Sequence, residues 1–204
     1  MIILWDIQQG TPQWDELRIG NPGASSMNRI ITAGGKPSTQ ADAYLNELFN
    51  EIILNEKTPT YSNRRMEEGL LYEQESINAF QKDYQIEVGR PGICFKDEQR
   101  LFHISPDGLM PEIRWGIECK DAQPNIQAER LDTGGKDLLQ KYFVQAQMSL
   151  YVSGYEGWYL RSYCRNMDDV TLEVLPDIEF HRKLEAELYK FIGKLQAKVK
   201  KYRK

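Results

Sequence analysis

The fold of this chain is decided by two short segments, Ser105-Pro106-Asp107-Gly108-Leu109 and Gly116-Ile117-Glu118-Cys119-Lys120. The second segment is typical of a strand, in which alternate side chains share a face. Glu118 and Lys120 are therefore expected on one face of the sheet and Cys119 on the other. The apolar residues around them predict that this strand is mostly buried. Charges on a buried strand need a partner or a metal ion.

Asp107 lies at a Pro-Gly turn after an apolar segment, which predicts that its carboxylate stands at the end of a strand. If that strand pairs with the strand of Glu118, the two carboxylates converge on one cation. Two carboxylates, waters and the carbonyl of Cys119 are oxygen ligands that Mg²⁺ accepts. Lys120 beside the ion would orient or activate water, or stabilise charge developing on a phosphate. Spacing alone is also typical of a solvated strand face with a minor ion pair.

The remaining sequence predicts an α/β fold with a central mixed β-sheet flanked by helices. Apolar spacing predicts helices over 41–54, 67–84 and 136–152, and a last helix that begins after Pro176-Asp177. Short apolar segments predict strands over 93–95, 101–104, 113–120, 158–164 and 170–175.

The composition is that of an ordinary globular chain of 204 residues, with 41% hydrophobic and 27% charged residues, which excludes a disordered or collagen-like protein. No apolar stretch is long enough to span a bilayer, and we expect no membrane contact. The first ten residues, MIILWDIQQG, do not resemble a signal peptide. Three widely spaced cysteines and two histidines argue against a disulfide framework or a structural zinc site. We therefore expect a reducing cytoplasm.

Charge is distributed unevenly along the chain. The whole chain has 26 basic and 30 acidic residues, for a net charge of −4, and the stretch 190–204 contains seven basic residues and no acidic one. Residues 1–189 consequently carry 19 basic and 30 acidic side chains. The basic tail fits either the end of a solvated helix, where cations suit the helix dipole, or a contact with nucleic acid or a partner.

Four segments in this order resemble one family. They are W-D-E-L-R-I-G…A-S (14–25), LLYEQES (70–76), SPDGL…GIECK (105–120) and YFVQAQMSLYVSG (142–154). Together they resemble the phage lambda exonuclease group, the YqaJ-like viral recombination exonucleases of the PD-(D/E)xK nuclease superfamily. The resemblance covers about residues 9–163, and no motif matches the last helix. Gly23 departs from the pattern, because a threonine or similar residue is common there.

The resemblance implies a restriction-endonuclease-like core within a single nuclease domain over 1–204. It implies an N-terminal helical part (1–60) that supplies a pocket for a 5′-phosphate, a catalytic core (61–175) and a basic C-terminal helix (176–204).

The resemblance also implies the site residues. Asp107, Glu118 and Glu73 match the metal-binding carboxylates, and Lys120 matches the motif lysine. The residues that match contacts to DNA or its 5′-phosphate are Arg18, Ser25, Ser105, Gln145 and Gln147. Without the family, Glu73 would be interpreted as a solvent-facing charge on a helix.

The implied activity is that of a metal-dependent 5′-to-3′ exonuclease acting on double-stranded DNA ends. One or two Mg²⁺ ions, or Mn²⁺ in their place, would serve hydrolysis of the 5′-phosphorylated strand to mononucleotides, leaving 3′ overhangs for recombination by strand annealing. The resemblance implies a ring-shaped homotrimer, a single-strand annealing protein as partner, and a phage or prophage protein in the cytoplasm of a bacterial host.

Other classes remain open from sequence. The same core serves endonucleases and junction resolvases, and it also occurs as a non-catalytic module that binds DNA ends. The complete set of Asp107, Glu118 and Lys120 argues against the non-catalytic module. A small-molecule hydrolase with paired carboxylates is a third alternative, which the lack of an aromatic sugar-binding pattern near Asp107 disfavours.

Overall fold

The computed structural model describes residues 1–58 and 64–203. The helices are α1 (Pro12–Glu16), a 3₁₀ helix (Ala24–Arg29), α2 (Ala41–Leu54), α3 (Arg64–Tyr84), α4 (Pro124–Thr133), α5 (Lys136–Ser153) and α6 (Ile178–Tyr202). The strands are β1 (Ile2–Leu4), β2 (Ile93–Phe95), β3 (His103–Ile104), β4 (Gly108–Met110), β5 (Trp115–Asp121), β6 (Gly157–Tyr163) and β7 (Val170–Val174). The boundary expected at residues 60 and 61 lies outside the described residues.

The larger sheet contains four strands in the order β4-β5-β6-β7. β4 and β5 are antiparallel, β5 and β6 are parallel, and β6 and β7 are antiparallel. A parallel pair requires a crossover connection, which α4 and α5 provide between β5 and β6. The predicted mixed sheet flanked by helices is confirmed, and the predicted elements agree with the structure to within a few residues at their ends.

A second, smaller sheet is formed by β1, β2 and β3. Both of its strand pairs are antiparallel, and Ile2 of β1 lies opposite Phe95 of β2. The sequence analysis assigned β2 and β3 to a single central sheet, which is wrong for these two strands. Three-residue strands show too little alternation to reveal their partners, and β1 pairs with a segment about ninety residues away.

The sequence analysis also missed α4, because this helix has no apolar stripe. Its buried residues are polar, Gln127 and Arg130. Gln127 Nε2 donates to the carbonyl of Asp168 at 2.7 Å, and Arg130 Nη1 donates to Ser162 Oγ at 2.9 Å. The helix is therefore held to the sheet by hydrogen bonds, which apolar periodicity cannot detect.

One hydrophobic cluster joins the N-terminal helices, the larger sheet and the C-terminal helix. Met27 of the 3₁₀ helix, Leu48 of α2, Trp158 of β6 and Leu184 of α6 are all fully buried members of it. The basic stretch ends α6, where cations suit the helix dipole. No helix within the described ranges combines the length and the apolar character needed to cross a membrane.

Two tryptophans interlock with two glycines across β5 and β6. Trp158 lies opposite Gly116, and Trp115 lies opposite Gly157. A methyl group added at Gly116 would overlap the ring of Trp158, and one at Gly157 would overlap the ring of Trp115. The glycines thus let each large ring lie flat against the neighbouring strand.

We expect Gly116→Ala to lower the free energy of unfolding by about 1–3 kcal/mol, because the added methyl group overpacks the Trp158 ring. Gly193→Ala is the matched control, since Gly193 is exposed on α6 with open space around it. That change should raise the stability by about 0.5–1 kcal/mol. Thermal unfolding followed by circular dichroism measures both, and equal melting temperatures for Gly116→Ala and the parent protein would contradict the interlock.

Candidate active site

The pairing of β4 with β5 places Asp107 beside the middle of β5. Gly108 lies opposite Ile117 in this antiparallel pair. The residue before Gly108 therefore comes level with Glu118. Asp107 Oδ2 accepts a hydrogen bond from the backbone N–H of Cys119, with 2.6 Å between nitrogen and oxygen. Asp107 is only 9% exposed, so its carboxylate is anchored inside the fold.

Glu118 and Lys120 share one face of β5, as their spacing predicts. Lys120 Nζ lies 2.7 Å from Glu118 Oε1, and Gln145 Nε2 of α5 lies 2.6 Å from the same oxygen. Glu118 is 6% exposed. The ammonium group of Lys120 also stands 4.6 Å from the ring centroid of Tyr142. The carboxylate of Glu118 is thus held by the ammonium group of Lys120 and by the side-chain amide of Gln145.

Glu73 reaches the same region from α3. Its carboxylate is paired with the guanidinium of Arg90. Burial raises the pKa of Glu73, Arg90 opposes this rise, and the charge of Glu118 adds to it. Within the described ranges, no three His, Cys, Asp or Glu side chains are grouped closely enough to hold one ion. The charge of Glu118 thus acts on Glu73, but the carboxylate of Glu73 is bound to Arg90 rather than grouped with the other two.

We call Glu73, Asp107, Glu118 and Lys120 the carboxylate cluster. It contains more negative than positive charge. Burial raises the pKa of Asp107 well above its ordinary value, and the charges of Glu118 and Glu73 raise it further. Burial opposes the charged form of Lys120, but Glu118 and Asp107 outweigh it and raise the pKa of the ammonium group. Lys120 therefore stays protonated. Burial and repulsion from the neighbouring carboxylates destabilise the ionised form of Asp107.

This donor set fits a divalent cation. Asp107, Glu118 and Glu73 present the hard oxygen ligands that Mg²⁺ and Mn²⁺ accept. Burial and the neighbouring carboxylates both raise the pKa of Asp107, and a bound cation would relieve the repulsion between the carboxylates. Glu73 would have to exchange Arg90 for the ion in order to join the other two carboxylates.

A small cavity of about 140 Å³ lies beside the carboxylate cluster, and we call it the Arg18 pocket. It is lined by Gln9, Trp14, Arg18, Ala24, Ser25, His103, Ser105, Glu118, Gln145 and Ser149. Four of the five residues that the sequence analysis assigned to DNA contacts, Arg18, Ser25, Ser105 and Gln145, therefore meet in one place. The pocket shares Glu118 with the carboxylate cluster.

The guanidinium of Arg18 is the only cation among the described residues that line this pocket. It stacks on Trp14, with its central carbon 3.6 Å from the ring centroid. Its Nε lies 3.3 Å from His103 Nε2 and its Nη1 lies 3.4 Å from Asp15 Oδ1. Trp14 in turn donates through Nε1 to Ser105 Oγ at 3.1 Å, which leaves the hydroxyl proton of Ser105 free to donate.

The chemistry of the Arg18 pocket suits a small anion. Arginine, serine hydroxyl and glutamine amide groups supply hydrogen-bond donors on several sides. Its volume is below the roughly 300–1,000 Å³ of pockets that take drug-sized ligands. A group of a few atoms such as a phosphate therefore fits it better than a whole nucleotide.

Gln147 is not brought into this group. It lies on the opposite face of α5 from Gln145 and is almost fully buried. Its Nε2 donates to the carbonyl of Leu175 at 2.8 Å, and its Oε1 accepts from the backbone N–H of Asp177 at 2.9 Å. Residues two apart on a helix face different directions, so Gln147 does not line the Arg18 pocket, and its expected contact with DNA stays a prediction. Its amide instead joins the end of β7 to the start of α6.

The side chain of Cys119 lies in the hydrophobic cluster beneath α3, on the other face of β5 from Glu118, and it borders a cavity together with Glu73. Burial raises the pKa of this thiol well above its ordinary value, so it stays protonated. Only the backbone carbonyl of Cys119 can serve as the expected metal ligand, since a protonated thiol is a poor one.

Sequence reasoning missed several residues of the site. Ser149 follows Gln145 by four positions, so helical spacing would have placed it on the same face. Trp14 is partly buried, and its ring supports the guanidinium of Arg18. No local sequence pattern points to Arg90 or His103, because each contacts a partner more than fifteen residues away along the chain.

Comparison with solved structures shows the same fold in three exonuclease structures. LHK-Exo, an alkaline exonuclease from Laribacter hongkongensis, matches with a TM-score of 0.81 and 20% identity, covering 93% of this chain and 95% of that one. LHK-Exo in complex with dAMP matches with the same TM-score and coverage and 21% identity. A phage-related exonuclease from Haemophilus somnus 129PT matches with a TM-score of 0.63 and 13% identity, covering 88% and 96%.

No curated protein matches the sequence significantly. The model of the YqaJ-like viral recombinase domain, however, matches residues 13–156. These residues include all of α1 except Pro12, the whole carboxylate cluster and every residue that was expected to contact DNA. With this match over most of its length, the chain belongs to the family of YqaJ-like viral recombinase domains.

Proposed function

We propose that this protein is a Mg²⁺-dependent exonuclease that degrades the 5′-phosphorylated strand of duplex DNA in the 5′-to-3′ direction. It releases mononucleotides and leaves 3′ single-stranded overhangs. One observation carries the proposal: Glu118 belongs both to the carboxylate cluster and to the wall of the Arg18 pocket. A terminal phosphate in the pocket would lie next to the groups that perform hydrolysis, which ties cleavage to the DNA end.

The metal ligands in this proposal are Asp107, Glu118, Glu73 and the carbonyl of Cys119. They would hold one or two Mg²⁺ ions, or Mn²⁺ in their place. Bound ions supply Lewis acidity at the scissile phosphate and lower the pKa of a water.

Lys120 acts through its charge in this proposal. The raised pKa of its ammonium group means that it cannot accept a proton near neutral pH. It can donate hydrogen bonds to the attacking water or to the phosphate, and it stabilises negative charge as the bond breaks. Its bond to Glu118 keeps the ammonium group on the side of β5 that carries the carboxylates.

The residues that bind the 5′-phosphate of the DNA end in this proposal are Arg18, Ser25, Ser105 and Gln145. The planar guanidinium suits the charge and geometry of a terminal phosphate, and hydroxyl and amide donors satisfy its remaining oxygens. A terminal phosphate carries more negative charge than an internal diester, so these donors favour a 5′ end. The structure of LHK-Exo with dAMP, a nucleoside monophosphate, supports mononucleotide release by a protein of this fold.

The family resemblance supports two further parts of the proposal. They are a ring-shaped homotrimer that encloses the DNA, and a single-strand annealing protein that takes the 3′ overhang, both in the cytoplasm of a bacterial host of phage or prophage origin.

Linear duplex DNA labelled at either 5′ or 3′ ends tests the activity. With Mg²⁺, the 5′ label should appear at once as a mononucleotide while the 3′ label stays on a shortening strand, and EDTA should stop both.

Glu118→Gln should lower the rate by at least about 100-fold, because it weakens the metal site. Glu112→Gln, in the exposed turn between β4 and β5, is the matched control and should keep full activity. Cutting of closed circular DNA would indicate an endonuclease instead, and binding without cleavage would indicate a non-catalytic module.

Metal binding has its own test, in the thermal stability of Asp107→Asn. The pKa of Asp107 is raised in the folded chain, so its contribution to stability is full below about pH 3.8 and is lost as pH rises through the raised pKa. The asparagine escapes this loss and can still accept from the Cys119 N–H. In EDTA the variant should therefore melt higher than the parent protein at about pH 8, with the difference vanishing toward about pH 4.

Adding Mg²⁺ or Mn²⁺ at about pH 8 should raise the melting temperature of the parent protein, because an ion that binds only the folded state stabilises it. The same addition should raise that of Asp107→Asn much less. Equal shifts in both proteins would show that Asp107 does not bind the ion.

The role of the Arg18 pocket is tested with duplexes that differ only in a 5′-phosphate or a 5′-hydroxyl. We expect the parent protein to prefer the phosphorylated end, and Arg18→Met to lose about 10–100-fold of that preference with its charge-assisted hydrogen bonds. Arg182→Met, an exposed arginine on α6, is the matched control and should keep the preference. Equal initial rates on the two ends with the parent protein would remove the pocket from the mechanism.

A further inference from the structure

His103 contacts Arg18 and borders the Arg18 pocket. It belongs to β3 and is only 3% exposed. Its Nε2 lies 3.3 Å from Nε of Arg18, and its Nδ1 lies 3.1 Å from Oδ1 of Asn21. Its backbone N–H donates to the carbonyl of Pro22 at 3.1 Å, so the ring and the backbone of His103 both hold the loop that follows Arg18.

The neighbours of His103 fix which of its two ring nitrogens donates a hydrogen bond and which accepts one. Asn21 Nδ2 donates to the carbonyl of Arg100 at 2.6 Å, which turns Oδ1 of Asn21 toward the imidazole. That oxygen can only accept, so Nδ1 of His103 carries the proton. Nε2 consequently carries the lone pair and accepts from Arg18, which can only donate. Burial lowers the pKa of His103 well below its ordinary value, and Arg18 lowers it further, so the ring stays neutral.

This arrangement leaves one edge of Arg18 for a ligand. The face of the guanidinium is covered by Trp14, Nε is taken by His103 and Nη1 reaches Asp15. Among the described residues none accepts a hydrogen bond from Nη2. The side chain of Asp15 is 45% exposed, so the buried bond to His103 is the firmer of the two.

The space for the imidazole is reserved by Gly23. A methyl group at this position would lie 2.7 Å from Nε2 of His103 and 2.9 Å from Cε1. Gly23 has an ordinary backbone conformation, with φ at −108°, so nothing in the main chain requires glycine. The glycine is explained by the ring that packs against it, at the nitrogen that contacts Arg18.

We propose that His103 is a positioning residue for the DNA end: it accepts a hydrogen bond from Nε of Arg18 and thereby aims the rest of the guanidinium at the 5′-phosphate. This inference rests on the proposed function of the Arg18 pocket. The Asn21 amide fixes the tautomer that makes the bond, and Gly23 leaves room for it. A flexible arginine fixed in advance loses less conformational freedom on binding, which favours affinity.

The test compares binding of short duplexes with a 5′-phosphate or a 5′-hydroxyl, by fluorescence anisotropy in EDTA so that no cleavage occurs. The measured quantity is the ratio of the two dissociation constants. His103→Leu removes the acceptor and should reduce the ratio about tenfold. His103→Gln retains a carbonyl oxygen that can accept from Arg18, so it should keep most of the preference. A merely structural role would lower the melting temperature of both variants without separating their ratios.

Gly23→Ala gives an independent test, since it displaces Nε2 without removing it. It should reduce the phosphate preference in the parent protein but have little further effect in His103→Leu, where the ring is absent. In Mg²⁺, the His103→Leu change should raise KM for the phosphorylated end more than it lowers kcat, because the residue serves binding.

The outcomes separate this inference from the proposed function. If the parent protein shows no preference for a 5′-phosphate, the function of the pocket fails and this inference fails with it. If the parent protein prefers the phosphate and His103→Leu keeps the full ratio, or Gly23→Ala acts equally in both backgrounds, the positioning role alone is overturned. A loss in His103→Leu with retention in His103→Gln supports it.

Discussion

Asp107 and Glu118 lie side by side where β4 pairs with β5, with Lys120 as their neighbouring cation. Burying a charge is costly unless it is paired and hydrogen-bonded, so the positions of these groups are tightly constrained. The backbone N–H of Cys119 holds the first carboxylate, and Lys120 and Gln145 hold the second. A slip of one residue between β4 and β5 would turn the charged side chains under α3, so the pairing of these strands is strongly specified.

The same carboxylates connect two parts of the molecule that lie far apart in sequence. Glu118 receives a hydrogen bond from Gln145 on α5 and borders the pocket that contains Arg18. The N-terminal helices, the sheet and α5 thus meet at one point, and one hydrophobic core cluster joins them. In the proposed function, this shared packing keeps the groups that recognise an end next to the groups that perform hydrolysis.

The success of sequence reasoning depended on whether a residue's neighbours in sequence are also its neighbours in space. The period of two on β5 correctly placed Glu118 with Lys120, and the apolar stripes correctly placed α2 and α5. The same reasoning failed for α4, whose buried side chains are polar, and for β1, whose partner is distant. The motif also did not reveal that Gln145 and Gln147 lie on different sides of α5.

The sequence by itself determined the mixed α/β fold, the family, and the residue types available at the site, because periodicity and motif spacing are local properties that survive without a structure. Only the tertiary structure decided which partners those residues take. Arg90 binds Glu73, His103 binds Arg18, and Gly23 makes room for the imidazole, each through contacts that no spacing in the chain specifies. Such contacts depend on how helices and strands pack, and packing brings together atoms whose separation along the chain carries no information about their distance.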